Sequence, residues 1–273
     1  MNWRLLDSGA ADARTNMGVD EAILSAHARG LAPPTMRFYT WQPPAVSLGR
    51  HQSAAEVLDE DACRRMGLDV VTRPTGGWAV LHDGDLCLSL VVSHRLLPVR
   101  GVMAGYRWIS QGIARGMELL GLEAALIENV GEPRDVAAGS SLRSSPRCRD
   151  GYKAQQHRRS DLCFAAAAGS DIRVNGRKLI GSAQVHRSRV ILQQNVIPLR
   201  RPSVAYAAAF RDPAAGAALP QAAALSELMD RIVDPEEVKS ALLDGFRQAL
   251  GAVILPGRLL REEVTELVGL LPS

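Results

Sequence analysis

The feature that most constrains this chain is a pair of residues, Asn175-Gly176, set between two β-rich runs in DIRVNGRKLIGSA. Asn-Gly accepts positive φ at both central positions of a type I′ turn, the turn whose twist matches antiparallel strands. A fold for this chain must therefore hold an antiparallel hairpin centred there. Counting outward pairs Val174 with Arg177 and Arg173 with Lys178. Side chains alternate along a strand, so Lys178, Ile180 and Ser182 are expected on one face. The run VILQQNVIPL (190–199) reads as the next strand.

Upstream, helix and strand signals alternate. Residues 17–29 read as a helix stopped at Gly30, MRFYTW (36–41) as a strand and AVSLG (45–49) as a second short one. Ser53 and Glu56 have capping-box spacing, which starts a helix running to Gly67. LDVVTR (68–73) is a strand leading into the turn PTGG, and residues 79–92 read as a hairpin turning at Asp83-Gly84-Asp85. Residues 103–120 form another helix. Near the C-terminus, Asp234-Pro235-Glu236-Glu237 is a cap, a first-turn proline and first-turn acids in order. That helix is expected to reach about Leu250, with a final one over 258–271. The chain thus divides into a main unit, 1–215, and a C-terminal helical extension, 216–273, packed on it.

The chain has 273 residues, 47% hydrophobic and 22% charged, which suits one large domain with a sizeable core. No window approaches the ~20 unbroken apolar residues of a membrane helix. The N-terminal MNWRLLDSGAADARTN lacks the apolar core of an export signal. Cys63, Cys87, Cys148 and Cys163 are widely and irregularly spaced, unlike a zinc site or a disulfide scaffold, so a reducing cytoplasm is the expected setting. With 32 basic against 29 acidic residues the charge is too balanced for a nucleic-acid binder. Only Lys153, Lys178 and Lys239 among those 32 cations are lysines. The long irregular stretch at about 131–160 includes RSSPRCRDGYKAQQHRR (143–159), with six Arg or Lys against one Asp. Its plainer reading is a solvated loop; its functional reading is a docking surface for an acidic partner.

Four stretches can carry chemistry: NMGVDEA (16–22), RPTGGWAVLHDGD (73–85), SDLCF (160–164) and NGRKLIGSAQ (175–184). The double glycine in the second lets backbone approach a carbonyl, thioester or phosphate closely. It is not a P-loop, because no Gly-Lys-Ser/Thr follows and no helix opens there. His82 at the end of the returning strand is either a hydrogen-bonded structural residue or a site residue. Cys163 follows the basic loop, where nearby cations would favour a thiolate, and Lys178 could supply such a charge or polarise a carbonyl. Cys63 on a helix and Cys87 in a strand read as inert core.

Taken in order, NMxxDEA, RFYxWxPPAVSLGRxQ, RPTGGxAVLHD, CF and GRKLIGSAQ resemble the biotin/lipoate protein ligase superfamily over roughly residues 3–200. A cysteine in SDLCF ahead of the lysine hairpin resembles its octanoyltransferase branch, whereas lipoate–protein ligases proper usually show a short Asn-Asp motif there. The resemblance implies an α/β (α+β) fold with a mixed, largely antiparallel sheet flanked by helices, akin to class II synthetases. It implies octanoyl transfer from acyl carrier protein to the lysine of a lipoyl-domain protein, such as the glycine-cleavage H protein or a 2-oxoacid dehydrogenase acyltransferase subunit. Cys163 would be the nucleophile and Lys178 the oxyanion donor. Arg73, Thr75, Gly76, Gly77, Trp78 and His82 would wall the acyl pocket on one side, and Gly181, Ser182 and Ala183 on the other. No cofactor is implied; ATP and Mg would enter only for a lipoate ligase. An amidotransferase between lipoyl domains would also use Cys163, and a non-catalytic carrier-binding relative is the reading from another class. The chain departs from the family pattern at Thr72, at Trp78 and at Leu192-Gln193-Gln194-Asn195, which bears on acyl-chain length and acceptor choice.

Overall fold

In the computed structural model, which describes residues 1–126, 172–213 and 223–271, the Asn175-Gly176 turn forms with φ of 50° and 74°. Val174 lies opposite Arg177 and Arg173 opposite Lys178, the register counted from the turn.

The strands are β1 (Asn2–Ala11), β2 (Thr35–Trp41), β3 (Ala45–Leu48), β4 (Asp69–Thr72), β5 (Val80–His82), β6 (Asp85–Ser93), β7 (Ala124–Leu126), β8 (Ile172–Val174), β9 (Arg177–Arg187), β10 (Val190–Pro198) and β11 (Val253–Pro256). The helices are α1 (Ala13–Ala28), α2 (Ala54–Val57), α3 (Glu60–Arg65), α4 (Val102–Leu119), α5 (Leu225–Leu228), α6 (Pro235–Leu250) and α7 (Arg261–Leu270). An eight-stranded sheet runs in the order β11-β1-β2-β6-β10-β9-β8-β7, and a three-stranded sheet in the order β4-β3-β5. Among the described residues of the large sheet, the β11–β1 and β1–β2 pairings are parallel and the rest antiparallel.

Both faces of the large sheet are covered. On one, Ile109, Ile113 and Met117 of α4 and Val238, Leu242 and Phe246 of α6 pack with Phe38, Leu88, Leu90 and Ile191. On the other, Val19 and Ile23 of α1 meet Val91 and Leu192, with Leu267 of α7 against them. Each fully buried side chain of this size contributes roughly 1.5–3 kcal/mol of transfer free energy. A two-pronged contact from Arg4 of β1 to the fully buried Glu263 fixes α7 over the sheet. Among the described residues no helix is long and apolar enough to cross a membrane.

The structure corrects several local expectations. Residues 53–67 are two short helices, because the chain extends at Leu58 to bury that side chain and bridge to Phe210. Ser53 makes no side-chain cap; Asp59 caps the second helix by accepting from the Ala62 N–H. Residues 79–92 are not a hairpin, since β5 pairs with β3 while β6 pairs with β2 and β10. The turn at Asp83-Gly84 passes the chain from one sheet to the other. Asp234 caps α6 as expected, and Gly251 ends it with φ of 59°. The C-terminal stretch is not purely helical: Val253–Pro256 is the edge strand β11 of the large sheet.

Candidate active site

The alternation expected for Lys178, Ile180 and Ser182 does not hold. The β8–β9 register shifts after Arg173, so that Ile172 lies opposite Ile180 rather than Leu179. Such a bulge places one extra residue in β9, and Leu179 and Ile180 accordingly both enter the core under α4. The parity change puts Lys178 on the side of the sheet shared by Gly181 and Ala183. Lys178 is buried there, and its carbonyl accepts from the Ala223 N–H at 2.8 Å.

That side holds a small, partly open cleft between α1, the small sheet and β9–β10. Met17, Tyr39, Trp41, Val80 and Val196 give it an apolar wall. Gly181, Ser182 and Ala183 form the β9 side, with Gln194 and Asn195 beside them on β10. Ser47, Arg73, His82 and Cys87 complete the lining. Of the expected pocket residues, Arg73, His82 and Gly181–Ala183 line it. Thr75, Gly76, Gly77 and Trp78 do not; they form the turn beside it. Cys163 and the basic stretch 143–159 lie outside the described residues.

Arg73 organises that turn. Its guanidinium donates to the Gly76 carbonyl at 2.7 Å, the Trp78 carbonyl at 2.8 Å, the Ser47 carbonyl at 2.9 Å and the Thr75 hydroxyl at 3.1 Å. Trp78 thus meets the site through its backbone, not by narrowing the cleft with its ring. Gly77 has φ of +89°, a conformation that side chains rarely adopt. The turn also rests on Gly49, where an added Cβ would lie 1.9 Å from the Gly77 carbonyl oxygen.

A buried polar chain runs from the turn to α1. The Thr75 hydroxyl donates to Gln194 Oε1 at 2.7 Å, and Gln194 Nε2 donates to Asp20 Oδ2 at 2.7 Å. Asp20 also accepts from Ser89 Oγ at 2.7 Å and from Arg37 Nη1 at 2.8 Å. Tyr39 adds a longer contact, and its hydroxyl is held well above its ordinary pKa by burial and then by the Asp20 charge. A buried carboxylate is stable only with such partners. At the other end, His82 accepts or donates at both nitrogens, Nδ1 to Asp85 at 2.7 Å and Nε2 to Ser47 Oγ at 2.8 Å. Trp41 stacks on the His82 ring at 4.0 Å and donates its indole N–H to Cys87 Sγ at 3.2 Å. Burial, then the Asp85 charge, pushes the Cys87 thiol well above its ordinary pKa, so it is protonated and no nucleophile at rest. Among the described residues, His82, Asp85 and Cys87 are the group whose donor atoms could share a metal ion.

The fold and the cleft can be set beside known proteins. Residues 12–247 match the lipoyl protein ligase A/B catalytic domain. The chain belongs to this family. The octanoyltransferase LipM of Symbiobacterium thermophilum is 39% identical over 97% of this chain and 92% of its own. That of Kyrpidia tusciae is 38% identical over 96% and 92%, and that of Bacillus subtilis 33% identical over 96% and 91%. Lipoate-protein ligase A, solved with ATP bound, superposes with a TM-score of 0.74 at 24% identity, covering 99% of this chain and 94% of that one. A bi-partite lipoate protein ligase from Thermoplasma acidophilum, described with its E2 lipoyl domain, gives 0.73 at 22%, covering 99% and 92%. These neighbours establish the lipoate-ligase fold: a large, mostly antiparallel sheet with flanking helices. Family resemblance brought out the RPTGG turn and the lysine hairpin, but it gave no site role to Gly49, Arg37 and Asp20, although its motifs contain them, and it marked Gln194 only as a departure. For Asp20 and Arg37 a signal was present in NMGVDEA and MRFYTW, where a charged residue beside apolar ones marks a buried pair, though not its partner.

Proposed function

We propose that this lipoylation-family acyltransferase moves an octanoyl group from acyl carrier protein to the lysine of a lipoyl-domain protein, through a thioester on Cys163. The observation that carries the reading is near-full-length identity of 39% to an octanoyltransferase, together with the cysteine in SDLCF. The cleft suits it: a saturated acyl chain needs an apolar wall, which Met17, Tyr39, Trp41, Val80 and Val196 supply.

In the first step the Cys163 thiolate attacks the carrier thioester carbonyl, the carbon–sulfur bond to the carrier breaks, and the carrier leaves as a thiolate that takes up the proton Cys163 had released. In the second, the neutral acceptor amine attacks acyl-Cys163, the amide forms, the amine loses a proton, and the cysteine is regenerated. Exchange between thioesters is nearly isoenergetic, and amide formation draws the sequence forward, so no ATP is called for. Lys178 would hold the acyl carbonyl and stabilise the oxyanion in both steps. Lys178 is buried on the cleft side of β9 but is not among the residues lining the cleft, so this role rests on the family resemblance. The acceptor proposed is a lipoyl-domain protein, in keeping with the E2 lipoyl domain that accompanies the Thermoplasma acidophilum ligase.

The test is the intact mass of the protein after mixing with octanoyl-acyl carrier protein without ATP, before and after hydroxylamine. The expected result is a hydroxylamine-labile gain of one octanoyl group, lost in Cys163→Ser. No adduct without ATP, and acceptor modification with ATP and free lipoate, would replace this reading by the ligase. Silence in both would leave a carrier-binding relative.

A further inference from the structure

His82, Asp85 and Cys87 stand apart from the transfer chemistry, yet two of them line the cleft. We infer that these three side chains form a binding site for a thiophilic divalent cation, Zn²⁺ above all, whose occupation blocks the acyl cleft.

The geometry is local and built in. The three residues lie within six positions. Asp85 and Cys87 are two apart on β6 and so share a face, while His82 ends β5 across the two-residue turn. Cys87 Sγ lies 3.4 Å from Asp85 Oδ2 and 3.9 Å from His82 Nδ1, and Nδ1 lies 2.7 Å from Oδ2. Zinc bonds of about 2.0–2.3 Å in a tetrahedron set donor atoms roughly 3.3–3.7 Å apart. The two sulfur separations are already close to that range. The third must open by roughly half an ångström, which follows when a cation replaces the hydrogen between Nδ1 and Oδ2.

Charge and proton balance favour the same occupant. One carboxylate and one thiolate neutralise a divalent ion, which removes the main cost of burying it. Binding releases the Cys87 thiol proton. His82 changes tautomer, so that Nδ1 takes the metal and Nε2–H donates to Ser47 Oγ, 2.8 Å away. A metal-bound imidazole whose other nitrogen is fixed by a hydrogen bond is the usual supporting arrangement, and the Trp41 indole N–H does the same for the thiolate. Cation and ligand set also match in softness: a thiolate and an imidazole select zinc over magnesium or calcium. His82 and Cys87 line the cleft, so an ion held between them would stand at its wall and compete with the acyl chain.

The experiment is anaerobic titration of the chelator-treated full chain with Co²⁺, in a Cys148→Ser/Cys163→Ser background so that no other candidate nucleophile contributes. Expected are a near-ultraviolet thiolate-to-cobalt charge-transfer band and intense tetrahedral visible bands saturating at one ion per chain, displaced by Zn²⁺. Cys87→Ser should lose the charge-transfer band and His82→Gln should weaken binding, whereas Cys63→Ser should leave both unchanged. Circular dichroism checks that each variant is folded; if Cys87→Ser is not, Asp85→Asn serves in its place. In the parent chain, Zn²⁺ should suppress octanoyl loading, and prior loading should slow Zn²⁺ uptake. No thiolate band, or a band indifferent to Cys87 and Asp85, overturns the proposal. The binding measurement needs no activity, so its failure is separate from failure of the octanoyltransferase reading.

Discussion

Replacing Gly49 by alanine tests whether the double-glycine turn is held by backbone contact. The added Cβ would stand 1.9 Å from the Gly77 carbonyl oxygen and 2.8 Å from its carbon, where ordinary contact begins at 3.4 Å. The obstacle is main chain, so no side-chain rotation relieves it. Either the turn retreats by about 1.5 Å, or β3 moves and loosens its pairing with β4 and β5. Overpacking of this kind costs about 1–3 kcal/mol. For a chain of this size that lowers the melting temperature by roughly 2–12 °C. The turn also carries the acceptors of Arg73 and the Thr75–Gln194 bond, so its shift reaches the cleft. A misplacement of about 1 Å can cost a hundredfold in rate. Calorimetry and single-turnover octanoyl loading measure the two effects, with Gly269→Ala as the control, since beyond its own helix nothing lies within 4 Å of that added methyl. A Gly49→Ala protein with parental melting temperature and loading rate would refute the contact.

Three further outcomes follow from the same geometry. Arg37→Ala should cost about 3–5 kcal/mol in urea unfolding, because Asp20 would stay buried with only neutral donors; a cost below about 1 kcal/mol would show that Ser89 and Gln194 suffice. Lys178→Ala should slow octanoyl loading by about a hundredfold, the usual loss for an oxyanion donor, and an unchanged rate would reduce it to a structural hairpin residue. His27 is held below its ordinary pKa of 6.5 chiefly by burial, its Nδ1 lying 2.7 Å from the Ala32 carbonyl. The unfolded chain therefore takes up the proton first, and stability present above pH 6.5 declines as the pH falls below it, until His27 is protonated in the folded state too. The melting temperature of a His27→Gln variant should fall less over that range; parallel curves would contradict this.

How legible the chain was depends on the range of the forces involved. The Asn175-Gly176 hairpin and the Asp234–Gly251 helix are set by φ preferences and capping within a few residues, and both appear where the sequence places them. The family resemblance placed the RPTGG turn, Lys178 and Gly181–Ala183 around one site; of these, Arg73 and Gly181–Ala183 line the cleft. Other features were decided by distant segments. The helix expected at 53–67 breaks because Leu58 gains more by burial against Phe210 than by continuing a turn. Val253–Pro256, four residues long, becomes a strand only because β1 presents a free edge to it. The apparent hairpin at 79–92 separates because β5 and β6 find better partners in different sheets.

The sequence by itself determined the family, the lysine hairpin and the glycine turn, since each is written in contiguous residues with local conformational needs. Only the tertiary structure decided which side of β9 Lys178 faces, because one bulged residue inverts the alternation. It alone joined Asp20 of α1 to Thr75 of the turn through Gln194, 119 positions after Thr75 in the chain. Burial is the physical reason: a carboxylate shut away from water must collect its hydrogen bonds from whatever elements the fold brings beside it, and that choice is made by packing rather than by neighbours in sequence.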